Sequence, residues 1–324
     1  MGAESTYLLP EIPYLTLHFQ LVAQEDAVLP DFKGSLLHGA FGNALRRAVC
    51  VMGPKQPCAD CLLNRQCINT QLFETFIFEA PPRFLRGITT APKPFVLDCA
   101  DQRSKYHPGE VLAFTITLFG RATVFYSYCI FAVQQLGHRG LGRGRAKFHL
   151  QNAAFATAAG DWQPLYSGES QALLTTPLPL SLPAVLESAS VERATLLFLT
   201  PLRLRVNGEY SRDFSFRELL FRMLRRILEI AHFYVAEKPV DWEFHDFLVA
   251  AERITISRRQ LYWVDLNRYS GRQKREMNFG GYIGQVDLEG PLNGFGGILR
   301  AAEMLHIGKG TTFGLGKMRI KYEP

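Results

Sequence analysis

The sequence predicts an α+β protein built from two tandem ferredoxin-like domains. Of the 324 residues, 47% are hydrophobic and 20% are charged, a composition typical of a folded chain with a sizeable core, which excludes extensive disorder. The predicted elements follow the order β-α-β-β-α-β twice, which is the order of a ferredoxin-like fold. No apolar run approaches the roughly 18 residues of a spanning helix, so the pattern excludes a transmembrane protein.

The first predicted domain covers residues 1–190. Alternating apolar residues predict a strand at 14–19, and the helical period predicts a helix at 33–49. A cysteine-bearing insertion follows at about residues 50–70. The remaining predicted elements are strands at 72–79, 95–99 and 111–119, a helix at 123–136 and a strand at 146–155.

The second predicted domain covers residues 191–324. The segment from Asp161 to Glu192 contains four prolines with several Ser and Thr, which is typical of a linker. After it the same order of elements begins again. The predicted elements are a strand-rich run at 195–206, a helix at 214–234, strands at 254–265 and 282–288, a helix at 296–305 and a strand at 318–322.

Positive charge is concentrated in the second domain. The chain has 36 Lys and Arg against 30 Asp and Glu, yet the segment Arg253–Arg275 alone contains seven cations and one acid, Asp265. The cations are Arg253, Arg258, Arg259, Arg268, Arg272, Lys274 and Arg275. Tyr262 and Trp263 lie among them, and cations interleaved with rings favour a single-stranded RNA site. The alternative is an ordinary solvated surface.

A second basic run occurs in the first domain. Between Gly137 and Lys147 the chain carries arginines and no acid, including the candidate RNA contacts Arg143 and Arg145. The intervening glycines would let the backbone approach a phosphodiester closely.

A glycine-rich tail at residues 308–316 is the most distinctive stretch. It fits neither a phosphate-binding P-loop nor a dinucleotide fingerprint, because no helix follows it. Its backbone N–H groups with Lys309 could cradle an RNA phosphate, or the loop could pack against a neighbouring helix; the remaining alternative is a loop with positive φ angles and no ligand. The candidate contacts are Gly308, Lys309, Gly310, Thr311, Thr312, Gly314 and Gly316.

Several segments together resemble one family. The tail 305–316, the segment 33–47, the Cys58–Glu74 stretch, residues 200–204 and residues 280–284 are similar, in the same order, to the CRISPR precursor-RNA-processing endoribonucleases of the RAMP superfamily. This resemblance implies tandem ferredoxin-like (RRM-like) folds and cleavage of CRISPR repeat RNA without a metal or other cofactor in the chemistry. It also implies that the guide RNA product passes to CRISPR effector subunits. A second interpretation, from another class, is a non-catalytic RAMP subunit that holds guide RNA.

Metal-independent cleavage uses the 2′-hydroxyl of the substrate as nucleophile and leaves a 2′,3′-cyclic phosphate and a 5′-hydroxyl. The protein then needs a base, an acid and a cation, and histidine suits the first two at neutral pH. His38 lies at the margin of the apolar stripe of the first helix, on the side of Ser35, Gly39 and Gly42. The resemblance implies a catalytic histidine in this helix. The alternative is a helix-edge histidine with a local hydrogen bond.

Other residues in these segments are weaker candidates. Arg46, about two turns after His38, is a candidate phosphate contact, and Lys33 and Arg203 are candidate RNA contacts. His306, at the junction of the last helix and the glycine-rich tail, either caps the helix C-terminus or serves as the partner acid or a phosphate contact.

Four cysteines lie in the insertion. The absence of a basic, apolar leader predicts a cytoplasmic protein, in which thiols stay reduced. Cys58 and Cys61 form one C-x₂-C pair, and with Cys50 and Cys67 they supply four thiolates for a structural zinc. The alternative is a set of reduced thiols in a surface insertion. We expect such a metal to take no part in cleavage.

Overall fold

The computed structural model describes residues 9–53, 55–182, 191–206, 208–235, 245–270 and 275–323, without the side chains of residues 83, 267–270 and 275–277. The described chain forms two compact units. The N-terminal unit comprises Pro13–Leu180 with Thr312–Gly314, and the C-terminal unit comprises Met1–Ile12, Ser181–Thr311 and Leu315–Pro324. The main segment of the N-terminal unit therefore ends at residue 180, whereas the sequence predicts the domain boundary at 190 and 191.

The N-terminal unit contains nine strands and two α-helices among its described residues. They are β1 (Pro13–Ala23), β2 (Ala27–Val28), α1 (Gly34–Val49), β3 (Phe95–Asp98), β4 (Lys105–Tyr106), β5 (Val111–Phe119), α2 (Tyr126–Arg139), β6 (Phe148–Ala156), β7 (Trp162–Ser167), β8 (Ala172–Leu173) and β9 (Leu180–Ser181), the last of which ends at the change of unit. Shorter helical turns cover Thr70–Glu74, Arg83–Leu85 and Gly120–Phe125.

The main sheet has seven strands: β3-β5-β1-β6-β7-β8 follow one another as antiparallel neighbours, and β9 also pairs with β1. Side chains of β1 alternate, so that Leu17, Phe19 and Leu21 are buried in the core while the residues between them are half-buried. The helices α1 and α2 pack together against this apolar side.

The C-terminal unit repeats the arrangement. Its described elements are β10 (Arg193–Leu202), β11 (Arg205–Val206), β12 (Glu209–Tyr210), α3 (Phe216–Tyr234), α4 (His245–Ala250), β13 (Thr255–Val264), β14 (Asn267–Ser270), β15 (Arg275–Asn278), β16 (Gly281–Glu289), α5 (Gly296–Leu305) and β17 (Met318–Tyr322), with a short 3-10 turn at Ala251–Arg253. A further 3-10 turn, Thr311–Phe313, begins in this unit and ends among the residues of the N-terminal unit. The sheet order β13-β16-β10-β17 is the same as β3-β5-β1-β6 in the first unit. A capping box formed by Ser215 and Glu218 begins α3. Two ferredoxin-like folds are therefore confirmed.

Two predicted elements are wrong in type. The predicted strand at 72–79 is wrong: Thr70–Glu74 form a π-helical turn that buries Thr70 and Leu72, and residues 75–79 contribute only an isolated bridge of Phe76 to Thr90. The predicted linker begins within regular structure, since β7 and β8 cover much of residues 162–173. Proline is tolerated there because Pro164 lies at a register shift in the pairing of β6 and β7.

Within the described ranges, no helix is long and apolar enough to cross a membrane.

Candidate functional site

His38 lies on α1, one turn after the helix begins at Gly34. Three phenylalanine rings from separate segments surround its half-buried imidazole. Ring centroids lie 4.3 Å away for Phe313, 5.2 Å for Phe73 and 5.7 Å for Phe95. We call these three rings and His38 the aromatic cluster. The residue as a whole is half-buried, but its Nε2 atom has almost no exposed surface.

Two glycines of α1 make these contacts possible. A Cβ at position 34 would overlap the carbonyl oxygen of Phe313, and a Cβ at position 42 would lie 2.5 Å from Cε1 of Phe73. Gly39, by contrast, is exposed and has no heavy atom near its missing Cβ. The predicted open surface beside His38 therefore exists at Gly39 but not at Gly42, where the ring of Phe73 fills the space.

Arg46 does not present its guanidinium to an open surface beside His38. Its Nη2 donates a 2.8 Å hydrogen bond to the carbonyl oxygen of Gln56, in the cysteine-bearing insertion. Its side chain lines a cavity there together with the cysteines. The structure thus gives Arg46 a role in holding the insertion, in place of the expected phosphate contact.

Lys33 is fully buried. Its Nζ donates hydrogen bonds to the carbonyl oxygens of Asp101 (2.8 Å) and Arg103 (2.7 Å), and it lies over the ring of Tyr106. Burial lowers the pKa of this ammonium, and the neighbouring Cys99 and Asp101 counteract part of that effect. Lys33 therefore fixes the 101–103 loop at the start of α1, and the expectation of a surface RNA contact does not match its position.

His306 occupies the C-cap of α5 with a positive φ of 54° and is 4% exposed. Its Nδ1 lies 3.2 Å from the carbonyl oxygen of Leu315, so Nδ1–H donates to that oxygen. Arg226 reaches the same helix end, where its Nε donates to the carbonyl oxygen of Leu305. His306 is therefore buried at the end of α5, with its imidazole bonded to the glycine-rich tail.

The glycines of the glycine-rich tail adopt positive φ angles. Gly308, Gly310, Gly314 and Gly316 have φ values of 85°, 84°, 84° and 67°, a region that side chains avoid. In the C-terminal unit, the backbone N–H of Lys309 donates to the carbonyl oxygen of Arg203. In the N-terminal unit, a Cβ at Gly314 would lie 2.7 Å from the carbonyl oxygen of Leu97. The tail is therefore a packed loop, from which Lys309 is exposed, Thr312 is half-buried and Thr311 is buried.

Cations and rings lie together on the C-terminal unit. Arg203 stacks over Tyr210 at 4.7 Å and Phe279 at 5.5 Å, and its Nη2 donates to the Tyr210 hydroxyl. The ring of Trp263 lies 6.4 Å from Tyr210. Arg205 also lies over the ring of Tyr210, at 5.1 Å from its centroid. These side chains form what we call the arginine-aromatic surface.

Strand β13 contributes exposed side chains to both faces of its sheet. Arg259 and Trp263 point to the face of the arginine-aromatic surface, and Arg258 and Tyr262, the latter 60% exposed, point to the opposite face. Arg259 is partly engaged, because its Nη1 donates to the carbonyl oxygen of Arg212. The candidate contacts Arg272 and Lys274, and the side chains of Arg268 and Arg275, lie outside the described residues.

The basic turn of the N-terminal unit is also exposed. Arg143 and Arg145 lie between Leu141 and Ala146, which form a β-bridge. A Cβ at Gly140 would overlap the backbone of Arg145, so glycine is needed for this tight turn.

The four insertion cysteines line one small cavity with Arg46 and Asn69. Across the described part of the chain, no three His, Cys, Asp or Glu side chains are already arranged closely enough to hold a metal ion. Cys99 and Cys129 lie elsewhere, and burial raises the pKa of their thiols to about 11 and about 12.

Sequence reasoning missed the rings around His38. Phe73 and Phe313 both lie in segments that carry the family resemblance. The candidate site residues in those segments, however, were their glycine, polar and cysteine neighbours. Nothing in the spacing of Phe73, Phe95 and Phe313 along the chain indicates that they meet.

Family models match both halves of the chain. A model described as an N-terminal domain matches residues 11–178, and the model of the CRISPR-associated endoribonuclease Cas6 matches residues 196–318. The C-terminal part of the chain, residues 196–318, belongs to the Cas6 family. No curated protein sequence matches this chain.

Solved Cas6 structures share its fold. Thermus thermophilus Cas6 is 16% identical, with a TM-score of 0.53 over 96% of this chain and 99% of that one. A Cas6 product complex is 17% identical, with a TM-score of 0.52 over 95% and 99%. A partial Cas6-RT-Cas1–Cas2 complex is 15% identical, with a TM-score of 0.56 over 97% of this chain and 47% of that one.

Proposed function

We propose that this Cas6 chain cleaves precursor CRISPR RNA within its repeats, with His38 as the general acid or base. The observation that carries the proposal is the position of His38, which three rings hold in one orientation beside the open surface at Gly39. A positioned acid-base group contributes typically about 10²- to 10⁴-fold to a rate.

In the proposed reaction, the 2′-hydroxyl attacks the adjacent phosphorus after a base takes its proton. The bond from phosphorus to the 5′-oxygen breaks, an acid protonates that oxygen, and the products are a 2′,3′-cyclic phosphate and a 5′-hydroxyl. No metal takes part in these steps. His306 is buried at a helix end. The pH dependence of cleavage is therefore the measurement that identifies the residue that exchanges the second proton.

RNA would bind to the arginine-aromatic surface and to the turn with Arg143 and Arg145. Arginine cations neutralise phosphates, and the exposed rings of Tyr262 and Trp263 offer faces on which bases stack. We place this reaction in the cytoplasm, where precursor RNA is made. We also propose other CRISPR proteins as partners, by analogy with the Cas6 that is found with RT-Cas1 and Cas2.

The second candidate is a Cas6-like subunit that holds guide RNA without cutting it. The burial of the Nε2 atom of His38 favours this alternative, because a group that exchanges a proton with the substrate must reach it.

Cleavage of cognate repeat RNA in EDTA distinguishes the two candidates. We expect cleavage by wild type, a loss of at least about 100-fold for His38→Ala, and no change for His107→Ala, whose side chain is 73% exposed and pairs with Asp26. End mapping should find a cyclic phosphate and a 5′-hydroxyl. Tight binding of intact RNA by wild type would instead support the non-catalytic subunit.

A further inference from the structure

The cysteine-bearing insertion brings four thiols around one cavity. Cys50, Cys58, Cys61 and Cys67 all line a cavity of about 20 Å³, and all four are half-buried and unbonded to one another. A cavity of this size holds about one water-sized particle. It is far smaller than the several hundred Å³ of a pocket for an organic ligand.

The backbone places these thiols from two fixed ends. Cys50 is the C-cap residue of α1, and its N–H donates to the carbonyl oxygen of Arg46. Cys67 precedes the helical turn Thr70–Glu74, and its carbonyl oxygen accepts a 3.0 Å hydrogen bond from the N–H of Gln71. Two cysteines therefore come from the rigid ends of the insertion.

The other two cysteines come from a tight turn between those ends. The N–H of Cys61 donates to the carbonyl oxygen of Cys58 at 3.3 Å, which closes the C-x₂-C turn that places two sulfurs on one side. The side-chain amide of Asn69 lies 3.7 Å from Sγ of Cys58 and donates to it. An amide that donates to sulfur is the kind of contact that orients and stabilises a thiolate ligand.

The insertion buries little apolar surface of its own. Leu62 is 92% exposed, Val51 is 79% exposed, and Met52 and Leu63 are 48% and 43% exposed. Residues 51–66 contain only turns and bends among those described. A segment without a core needs another cross-link to hold one conformation, and a structural metal supplies one.

The charge around the cavity also suits a thiolate cluster. Four thiolates around one divalent cation leave an excess of two negative charges. The guanidinium of Arg46 lines the same cavity and is held there through its bond to Gln56. This cation lies where it offsets that excess.

The four thiols line the cavity but do not yet lie at metal-binding distance from one common point. Among the described residues, no three His, Cys, Asp or Glu side chains are close enough together to hold a metal ion. Zinc binds sulfur at about 2.3 Å in a tetrahedron, so binding would draw the four sulfurs inward. From the shared cavity, the C-x₂-C turn and the exposed apolar residues, we propose that Cys50, Cys58, Cys61 and Cys67 bind one structural Zn²⁺. The ion joins the end of α1 to the helical turn at Thr70.

The test is the metal content of the full chain. Reduced wild type, loaded with ZnCl₂ and freed of excess metal by gel filtration, should carry about one zinc per chain, and the variant Cys58→Ser with Cys61→Ser should carry less than about a tenth of that. The control Cys99→Ala, in a cysteine outside the cavity, should carry the wild-type amount. With CoCl₂, wild type and the control should show the thiolate charge-transfer and tetrahedral d–d bands, and the double variant should not.

A second measurement needs no substitution and so does not depend on the folding of a variant. Alkylation of wild type, located by mass spectrometry, should modify all four insertion cysteines without zinc and protect them with it. Wild type that retains no zinc, lacks thiolate bands with cobalt, or shows the same alkylation in both states overturns the proposal. A double variant that binds as much metal as wild type also overturns it. These readouts are independent of RNA cleavage, so they fail or succeed separately from the proposed function.

Discussion

The ring of Phe313 lies 4.3 Å from the imidazole of His38, with an angle of 44° between their planes. The two residues are 275 positions apart in the sequence, and both belong to the N-terminal unit. Phe313 of the glycine-rich tail thus completes the ring cluster around the candidate catalytic histidine. This contact gives the tail a structural role that does not depend on phosphate binding.

Phe313→Ala should slow cleavage, because His38 would lose one of the rings that position its imidazole. A displacement of about 1 Å in a catalytic group costs about 10²-fold, so we expect a single-turnover rate 10- to 100-fold lower with an almost unchanged Kd for RNA. Phe313→Leu, which keeps most of the bulk, should restore part of the rate. Phe78→Ala removes an exposed ring that contacts Arg65 outside the cluster and should have no effect. A weaker Kd with an unchanged rate would show that Phe313 binds RNA and does not position His38.

Gly34→Ala should destabilise the N-terminal unit. The new Cβ would overlap the carbonyl oxygen of Phe313, and overpacking of this kind costs about 1–3 kcal/mol. Gly39→Ala is the matched control on the same helix, where nothing lies near the missing Cβ. Because alanine favours helix over glycine, it should leave the free energy of unfolding unchanged or raise it by up to about 1 kcal/mol. Denaturant unfolding of both variants measures the difference, and equal losses would contradict the contact with Phe313.

Asp101 should make the free energy of unfolding depend on pH in the acid range. Burial alone raises the pKa of its carboxyl group, but hydrogen bonds from Arg103 outweigh it and hold the pKa at about 2, below the ordinary value of 3.8. Because the folded pKa is depressed, the stabilisation is present above pH 3.8 and is lost as the pH falls towards 2.

Asp101→Asn should therefore lower the free energy of unfolding at pH 7 by about 1 kcal/mol, a value reduced for solvent screening because Arg103 is half exposed. Near pH 2 the variant and wild type should differ little. Asp161→Asn, at an exposed position, serves as the control. Unfolding measured across this pH range checks the prediction, which a difference independent of pH would contradict.

Arg258 and Tyr262, both exposed on β13, should affect RNA binding in different ways. Arg258→Ala should reduce the slope of log K against log salt by about 0.7, the value for one phosphate contact on a single strand. Tyr262→Ala should weaken binding by about 1–3 kcal/mol through lost base stacking and leave the slope unchanged. Titrations at several salt concentrations measure both quantities. Unchanged binding in both variants would remove β13 from the proposed RNA surface.

Local patterns were sufficient for most of the fold. The helix Gly296–Leu305 and the strand Met318–Tyr322 lie where the apolar period and alternation predict them, because these elements bury one face along their length. The turn Thr70–Glu74 was not predictable in the same way. Whether a short apolar run is helical depends on what its side chains contact, and here the ring of Phe73 packs against Gly42.

The sequence by itself determined the two β-α-β-β-α-β units, the position of His38 on the first helix and the family segments, because each depends on neighbours within a few turns of chain. Only the tertiary structure decided which of these residues act together. It buried Lys33 and His306, turned Arg46 towards the insertion, and brought Phe73, Phe95 and Phe313 to His38. Such contacts join segments far apart in the chain, so they depend on the packing of whole elements, which local spacing does not contain.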